Sequence, residues 1–274
     1  MFDRLKGLSP HLALGAGALA LSSLLAGCGG GTSDDDSVRV GVIAGPESEL
    51  MEVAQRIAKE RFDLDVQIVE FTDYVSPNAA LADGSIDANA YQHAPYLQAM
   101  NQDRGYDLVS AGNTFLYPIG AYSRRHDSIE ALPEGATIAL PNDPSNQARA
   151  LLMLDHAGLI SLVDDQNPES TLDDISDNPH GLQFREVDAA QLPRSLDDVD
   201  LAFINNTFAQ PAGLTPEDAL LREGTDSPYV NLIVVRNGDQ ELPKIRHLVE
   251  AFQTEEVASR AEALFQGGAI PGWQ

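Results

Sequence analysis

Two neighbouring stretches of the sequence carry an unusual concentration of flat rings in otherwise small and polar surroundings. The segments are GSIDANAYQHAPYL (84–97) and FTDYVSPN (71–78), although aromatic residues make up only 6% of the chain. Their ring-bearing side chains are Phe71, Tyr74, Tyr91, His93 and Tyr96. Rings from two adjacent turns can meet over one apolar slot, and sulfur–aromatic contacts of about 0.3–1.5 kcal/mol make such a slot suitable for a thioether. Spacing alone equally allows that the rings only pack the end of a domain.

One arginine lies near a predicted helix start in TIALPNDPSNQARALLML. Asp143 is predicted to cap this helix, with Pro144 at its first position. Because a helix start has free N–H groups and a partial positive charge, Arg149 beside it would make a strong carboxylate site. The residues leave an equal alternative, in which Arg149 pairs with one of the many surface acids.

Two asparagines adjoin predicted strands elsewhere in the chain. Asn205 follows LAFI, and Asn231 follows SPYV. Side-chain amides both donate and accept hydrogen bonds, which suits a zwitterion with its carboxylate and ammonium close together. Each asparagine alone is also compatible with an ordinary turn residue.

Alternating strands and helices must position these side chains. Strands are predicted over 37–43, 65–71, 86–90, 108–123, 137–141, 182–187, 201–205 and 229–236, separated mostly by helical segments. This alternation indicates parallel sheets that are covered on both faces. Extended segments near 112–123 and 225–236 predict an α/β fold of two lobes joined by two crossing strands. Lobe 1 is predicted over 38–117 plus 231–274, and lobe 2 over 118–230. Ligands bind at the carboxyl ends of such strands, here in the cleft between the lobes.

The first 37 residues differ from the rest. Residues 1–27 have a basic start, a short apolar run and small residues, which is typical of a secretory signal peptide. The apolar run is shorter than the about 20 residues that a membrane-spanning helix needs. Leu25 to Cys28 resembles the lipobox of bacterial lipoproteins, which implies that Cys28 carries lipid. Residues 28–37 are then a lipidated flexible tether. The alternative is an ordinary secreted protein with an incidental cysteine.

Composition and motifs argue against several classes of function. The formal net charge of −25 argues against nucleic acid as a partner and against peripheral binding to anionic lipid. The sequence has no G-x-S-x-G, H-E-x-x-H or P-loop pattern, so we expect neither an enzyme nor a bound cofactor. The best metal set that the sequence offers is His93 with Asp73 or Asp87. A metal-binding lipoprotein of a metal importer and a structural lipoprotein therefore remain as alternatives.

Eight blocks of the sequence resemble, in order, the methionine-binding lipoproteins of the NlpA family. They are VGVIAGPE, FTDYVSPN, DGSIDANAYQHAPYL, GNTFLYPIGAYS, LPNDPSNQARALLML, QLPRSLDDVDLAFIN, SPYVNLIVVR and GGAIPGW. The resemblance implies a periplasmic-binding-protein-like fold and a substrate-binding role in an ABC importer, with L-methionine or a related molecule as ligand. It also implies a permease and ATPase complex as partner. The location would be the cell envelope, lipid-anchored to a membrane and facing the periplasm or the exterior.

The resemblance also carries roles onto individual residues. Arg149, Asn205 and Asn231 would hold the charged groups of the amino acid. The side-chain pocket would be lined by Phe71, Tyr74, Tyr91 and His93, with Asn146 and Gln92 nearby. Tyr91 stands where the family pattern leads us to expect phenylalanine, and Asn206 where a small hydroxyl residue is frequent. Tyr91 could thereby admit a more polar ligand, such as an oxidised methionine or a dipeptide.

Overall fold

The computed structural model describes residues 36–274. The predicted signal peptide (1–27), Cys28 and residues 29–35 of the predicted tether lie outside the described residues. Within the part of the chain that is described, no helix is both long enough and apolar enough to pass through a membrane.

Strands and helices alternate through most of the chain, as the hydrophobic pattern predicts. The strands are β1 (Ser37–Ile43), β2 (Asp65–Phe71), β3 (Ala88–His93), β4 (Leu108–Leu116), β5 (Gly120–Tyr122), β6 (Thr137–Pro141), β7 (Ser161–Leu162), β8 (Ile175–Asp177), β9 (Gln183–Val187), β10 (Leu201–Ile204), β11 (Leu221–Arg222), β12 (Val230–Arg236) and β13 (Ile270–Pro271). The α-helices are α1 (Pro46–Phe62), α2 (Ser76–Ala82), α3 (Ala94–Arg104), α4 (Pro144–His156), α5 (Leu192–Ser195), α6 (Asn206–Ala209), α7 (Pro243–Phe252) and α8 (Glu255–Phe265).

Two predicted strands have different bounds in the structure. The strand predicted over 86–90 begins at Ala88 and continues to His93, so Tyr91 and His93 lie at the end of a strand and not in a turn. The long extended stretch predicted over 108–123 is divided into β4 and β5, and Pro118 lies in the break between them. The first difference places His93 at the end of a strand, and the second separates the strand of one sheet from the strand of the other.

The strands form two main sheets, so the prediction of two α/β lobes is confirmed. One sheet is six-stranded with the order β13-β4-β12-β3-β1-β2, and the other is five-stranded with the order β11-β5-β10-β6-β9. We call them, with their helices, lobe 1 and lobe 2. The chain passes to lobe 2 between Leu116 and Gly120 and returns between Arg222 and Val230. Residues 117–119 and 223–229 are therefore the two crossing segments.

The prediction that the sheets are parallel is wrong for part of each sheet. β1 pairs in parallel with β2 and β3, but β12 is antiparallel to both β3 and β4. In lobe 2, β5 is antiparallel to β10 and β11. The reason is the route of the chain: β12 enters lobe 1 directly from lobe 2 without an intervening helix, so it runs opposite to the strands that end at the cleft.

Each lobe has its own apolar core. In lobe 1, the buried face of α1, including Leu50 and Ile57, packs with Val40 of β1 and Ile233 of β12. In lobe 2, Leu151 and Leu154 of α4 pack with Ile138 and Phe203. The residues left between the two cores are largely polar, and these residues form the candidate site.

Candidate functional site

A small cavity of about 20 Å³ lies between the lobes, where strands of both sheets end. That space holds about one water molecule, so the lining side chains of the two lobes lie close together around it. Its lining is polar and aromatic and comes from both lobes: Tyr74, Tyr91, Gln92, His93, Tyr96, Tyr117, Asn146, Arg149, Asn205, Asn206, Thr207 and Asn231. Of the seven side chains predicted to bind the ligand, six line this cavity.

Tyrosine rings form one wall of the cavity. The ring of Tyr74 lies 5.8 Å from that of Tyr91 and 4.9 Å from that of Phe208, which lies across the cleft on α6. The hydroxyls of Tyr91 and Tyr96 both donate to the backbone carbonyl of Tyr74, at 2.8 and 2.7 Å. The hydroxyl hydrogen that distinguishes Tyr91 from phenylalanine is therefore used within the wall. It is not offered to a polar ligand.

Phe71 is the one predicted site residue that does not line the cavity. It packs behind the wall, against the cluster that contains Ile43, Tyr91 and Tyr96. Its ring lies over Gly41 of β1, where an added Cβ would come within 2.9 Å of it. Phe71 therefore supports the ring wall from the face of the sheet.

His93 connects the two lobes as a neutral imidazole. Its Nδ1 accepts a hydrogen bond from the backbone N–H of Tyr96 at 3.2 Å, which caps the start of α3. Nε2 then carries the proton and donates to Oδ1 of Asn146 in lobe 2 at 3.3 Å. Burial, together with the positive charge of Arg149, lowers the pKa of His93 to about 3. The ring is thus uncharged at neutral pH.

The start of α4 presents Asn146 to the cavity. Asp143 caps the helix by accepting the backbone N–H of Asn146 at 3.0 Å, and it also accepts the side-chain amide of Asn146. Oδ1 of Asn146 accepts from Nδ2 of Asn205 at 2.9 Å. Oδ1 of Asn205 itself is buried and has no hydrogen-bond partner among residues 36–274. An unpaired buried oxygen in a cavity wall is suited to accept a hydrogen bond from a ligand.

Arg149 is buried and fixed on several sides. It forms an ion pair with Glu223, in which the arginine and glutamate side chains are 3% and 9% exposed. It also donates from Nη2 to the carbonyl of Tyr117 at 2.9 Å, and its Cζ lies 4.6 Å from the centre of the Tyr229 ring. Arg149 thus lines the cavity and also pairs with an acid, but Glu223 is partly buried, whereas the alternative assumed an acid at the surface.

A network of amide side chains supports the ring wall from within lobe 1. Nδ2 of Asn78 donates to Oε1 of Gln92 at 2.8 Å, and Nε2 of Gln92 donates to Oδ1 of Asn78 at 2.6 Å and to Oδ1 of Asn89 at 2.9 Å. Asn231 of β12 donates to the carbonyl of Tyr91 at 2.9 Å. The strand that carries Tyr91 is therefore held from both sides.

Sequence reasoning missed several residues of this region. Tyr117 and Thr207 line the cavity. Asn206, which the family pattern had singled out, lines it too and donates across the cleft to the carbonyl of Gly268. Glu47, in the first turn of α1, is 5% exposed and accepts from the Thr207 hydroxyl of lobe 2 at 2.8 Å, whereas its Oε2 has no partner among the described residues. Burial raises the pKa of Glu47 to about 8, although the hydrogen bond from Thr207 opposes the shift. No feature of the sequence analysis pointed to Glu47.

The metal set suggested by the sequence is not brought together. Asp73 caps the turn before α2 by accepting from the backbone of Val75 and Ser76, and Asp87 pairs with Arg39. Both nitrogens of His93 are occupied by other contacts. Within residues 36–274, no group of three or more histidine, cysteine, aspartate or glutamate side chains is arranged to hold a metal ion.

Comparison with known proteins identifies the family. Residues 38–273 match the family model described as NlpA lipoprotein. The chain belongs to the NlpA lipoprotein family. The resemblance read from the sequence blocks is therefore confirmed, over almost the whole of the part that the structure describes.

Relatives within the NlpA family are similar along nearly their full length. The D-methionine-binding lipoprotein MetQ of Salmonella typhimurium is 50% identical over 260 residues, covering 94% of this chain and 96% of its own. A periplasmic substrate-binding protein of an ABC transporter from Coxiella burnetii is 53% identical, with a TM-score of 0.83, and covers 86% and 100% of the two chains. A nutrient-binding protein from Burkholderia cenocepacia, solved bound to methionine, is 47% identical, with a TM-score of 0.84 and coverage of 86% and 99%.

Proposed function

We propose that this protein is the lipid-anchored substrate-binding component of an ABC importer and that it captures methionine or a close derivative. The observation that carries the proposal is the cavity, which has a wall of tyrosine rings, a buried arginine and an unpaired amide oxygen. These groups suit the thioether, carboxylate and ammonium of one small amino acid. The relatives described above support the same ligand and the same transport role.

Each polar group has a proposed role. Arg149 pairs with the ligand carboxylate, because charge-assisted hydrogen bonds are the stronger kind. Oδ1 of Asn205 accepts a hydrogen bond from the ligand ammonium, which satisfies its unpaired buried oxygen. Asn231 and His93 complete the polar side, and Tyr74 and Tyr91 contact the ligand side chain. Phe71 acts indirectly by supporting these rings.

Closure of the cleft links ligand binding to recognition of the protein by the transporter. The ligand contacts both lobe 1 and lobe 2, which are joined by the crossing segments 117–119 and 223–229. Because such contacts exist together only when the lobes meet, the ligand favours the closed state. The permease and ATPase complex then recognises that state, and the protein acts as a binding protein and not as an enzyme.

The anchor is the lipidated Cys28, at the end of the predicted signal peptide. It holds the protein at a membrane of the cell envelope, facing the periplasm or the exterior. Tethering raises the local concentration of the binding protein near the transporter.

Titration calorimetry tests the proposed function directly. We expect L-methionine or one of D-methionine, methionine sulfoxide and a methionyl dipeptide to bind with micromolar or tighter affinity. At about 100 times its dissociation constant, the ligand should add about 2.7 kcal/mol to the free energy of unfolding. Uptake of zinc instead would favour the metal-importer alternative. No response to any of these ligands would favour a structural lipoprotein.

The Tyr74→Ala variant should lose selectivity for the ligand side chain. Removal of this ring opens the wall next to Tyr91 and Phe208. The affinity of the protein for methionine should therefore fall more than its affinity for alanine or serine. Calorimetric competition between methionine and these smaller amino acids measures the change. Tyr106→Ala is the matched control, because Tyr106 packs on the same cluster without lining the cavity. Equal selectivity in the two variants would remove Tyr74 from the ligand pocket.

A further inference from the structure

Each carboxylate oxygen of Glu223 accepts two hydrogen bonds. Oε1 accepts from Nε of Arg149 at 2.7 Å and from the hydroxyl of Ser227 at 2.9 Å. Oε2 accepts from Nη2 of Arg149 and from the backbone N–H of Ile119 at 3.2 Å. With four donors fixed around it, the carboxylate has one defined orientation, and the paired guanidinium takes its orientation from it.

The same contacts determine which part of Arg149 remains available. Nε and Nη2 are occupied by Glu223, and Nη2 also donates to the carbonyl of Tyr117. Tyr229 covers one face of the guanidinium. Nη1 has no acceptor among the described residues, and Arg149 is one of the cavity-lining side chains. Nη1 is therefore the guanidinium nitrogen that is left to donate to a carboxylate in the cavity.

The partners of this ion pair belong to both crossing segments. Tyr117 and Ile119 lie in the first segment, whereas Glu223, Ser227 and Tyr229 lie in the second. The guanidinium itself projects from α4 of lobe 2. Its orientation is thus set by the two segments that join the lobes, and α4 alone does not determine it.

We propose that Glu223 is a positioning residue, which orients Arg149 so that Nη1 faces the carboxylate of the ligand. This inference rests on the proposed function, since it assumes that the ligand carries a carboxylate. Glu223 does not touch the ligand and acts through Arg149. It thereby determines how strongly the site distinguishes an amino acid from the same molecule without its negative charge.

Affinities of L-methionine and L-methioninamide, measured by calorimetry well below the melting temperature, test this role. The amide lacks the carboxylate charge, so the ratio of the two affinities reports the contact with Arg149. In Glu223→Gln, which retains the shape of the side chain but loses the charge, we expect this ratio to fall at least about tenfold. In Glu223→Asp, which retains the charge but is one methylene shorter, the fall should be smaller.

Two further variants separate positioning from a purely structural role. Asp200→Asn removes a carboxylate that pairs with His126 and accepts from the backbone of Thr137, away from the cavity. It should lower the melting temperature and leave the affinity ratio unchanged. Ser227→Ala removes one support of Glu223, and if Glu223→Gln does not fold, this variant should still lower the ratio in the same direction.

The possible results separate a failure of this inference from a failure of the proposed function. If the unsubstituted protein binds methionine and the Glu223 variants melt lower but retain its affinity ratio, Glu223 is structural only and the inference is wrong. A ratio that rises in Glu223→Gln would also overturn it, because Glu223 would then oppose the ligand. If the unsubstituted protein binds neither L- nor D-methionine, and neither methionine sulfoxide nor a methionyl dipeptide, the proposed function and this inference are both wrong.

Discussion

Arg149→Ala should cost more methionine affinity than any other single substitution in the cavity. The substitution removes a charge-assisted contact worth about 1.5–3 kcal/mol, which corresponds to roughly a ten- to hundredfold weaker affinity. It also leaves the ligand carboxylate without its cation in a cavity that excludes most water. Calorimetric titration of the purified variant with L-methionine measures the loss. An affinity close to that of the unsubstituted protein would show that Arg149 does not hold the ligand.

A folding control is needed, because Arg149→Ala also strands Glu223 as a buried charge. Removal of one partner of a buried ion pair typically costs about 3–5 kcal/mol of stability. Replacement of both partners by neutral side chains of similar volume is often tolerated. We therefore expect the double variant Arg149→Met with Glu223→Gln to fold more stably than Arg149→Ala and still to bind methionine weakly. Circular dichroism melting curves provide the comparison of stability.

Glu47→Gln should abolish a large part of the pH dependence of stability. The carboxyl of Glu47 stays neutral in the folded protein up to its raised pKa of about 8, whereas it ionises near 4.5 in the unfolded chain. Between these values unfolding releases a proton, so the stabilising contribution is complete below about pH 4.5 and is lost as the pH rises through 8. A difference of about 3.5 pKa units corresponds to on the order of 5 kcal/mol in the free energy of unfolding.

Urea unfolding of both proteins at intervals between pH 4 and 9 measures this effect. Relative to the unsubstituted protein, the glutamine variant should gain stability steadily from about pH 5 to 8 and no further above that. His93, whose pKa is lowered, contributes in the opposite direction below pH 6.5, but it is common to both proteins and cancels in the difference. Glu52→Gln removes an exposed acid from the next turn of the same helix and should leave the profile unchanged. Parallel profiles for Glu47→Gln and the unsubstituted protein would show that Glu47 is already ionised in the fold.

The elements and the general position of the site could be predicted because their signals are local. The strand over 137–141, the cap at Asp143 and the proline at 144 are encoded within a few residues, and the structure has all three. The convergence of His93 and the start of α4 on one cleft could also be anticipated, because β3 and the strand that precedes α4 both end there. These inferences required no knowledge of which side chains pair.

Contacts between distant segments could not be predicted in the same way. Arg149 and Glu223 are 74 positions apart, and Glu47 and Thr207 are 160 apart, so no periodicity connects them. The placement of Phe71 failed for a different reason. Side chains alternate between the faces of a strand, and the ring of Phe71 lies on the face of the sheet over Gly41 and not at its edge. The direction of β12 could not be predicted either, because an apolar strand has the same composition in a parallel and in an antiparallel pairing.

The amide network of Asn78, Asn89 and Gln92 has a consequence for acidic surroundings. Carboxylates whose hydrogen bonds stabilise a fold become protonated at low pH, and those hydrogen bonds then weaken. Amides gain no proton in that range, and these three residues are fully or almost fully buried. The amide network beneath Tyr91 should therefore keep its hydrogen bonds at acidic pH values at which regions that depend on carboxylate hydrogen bonds are destabilised.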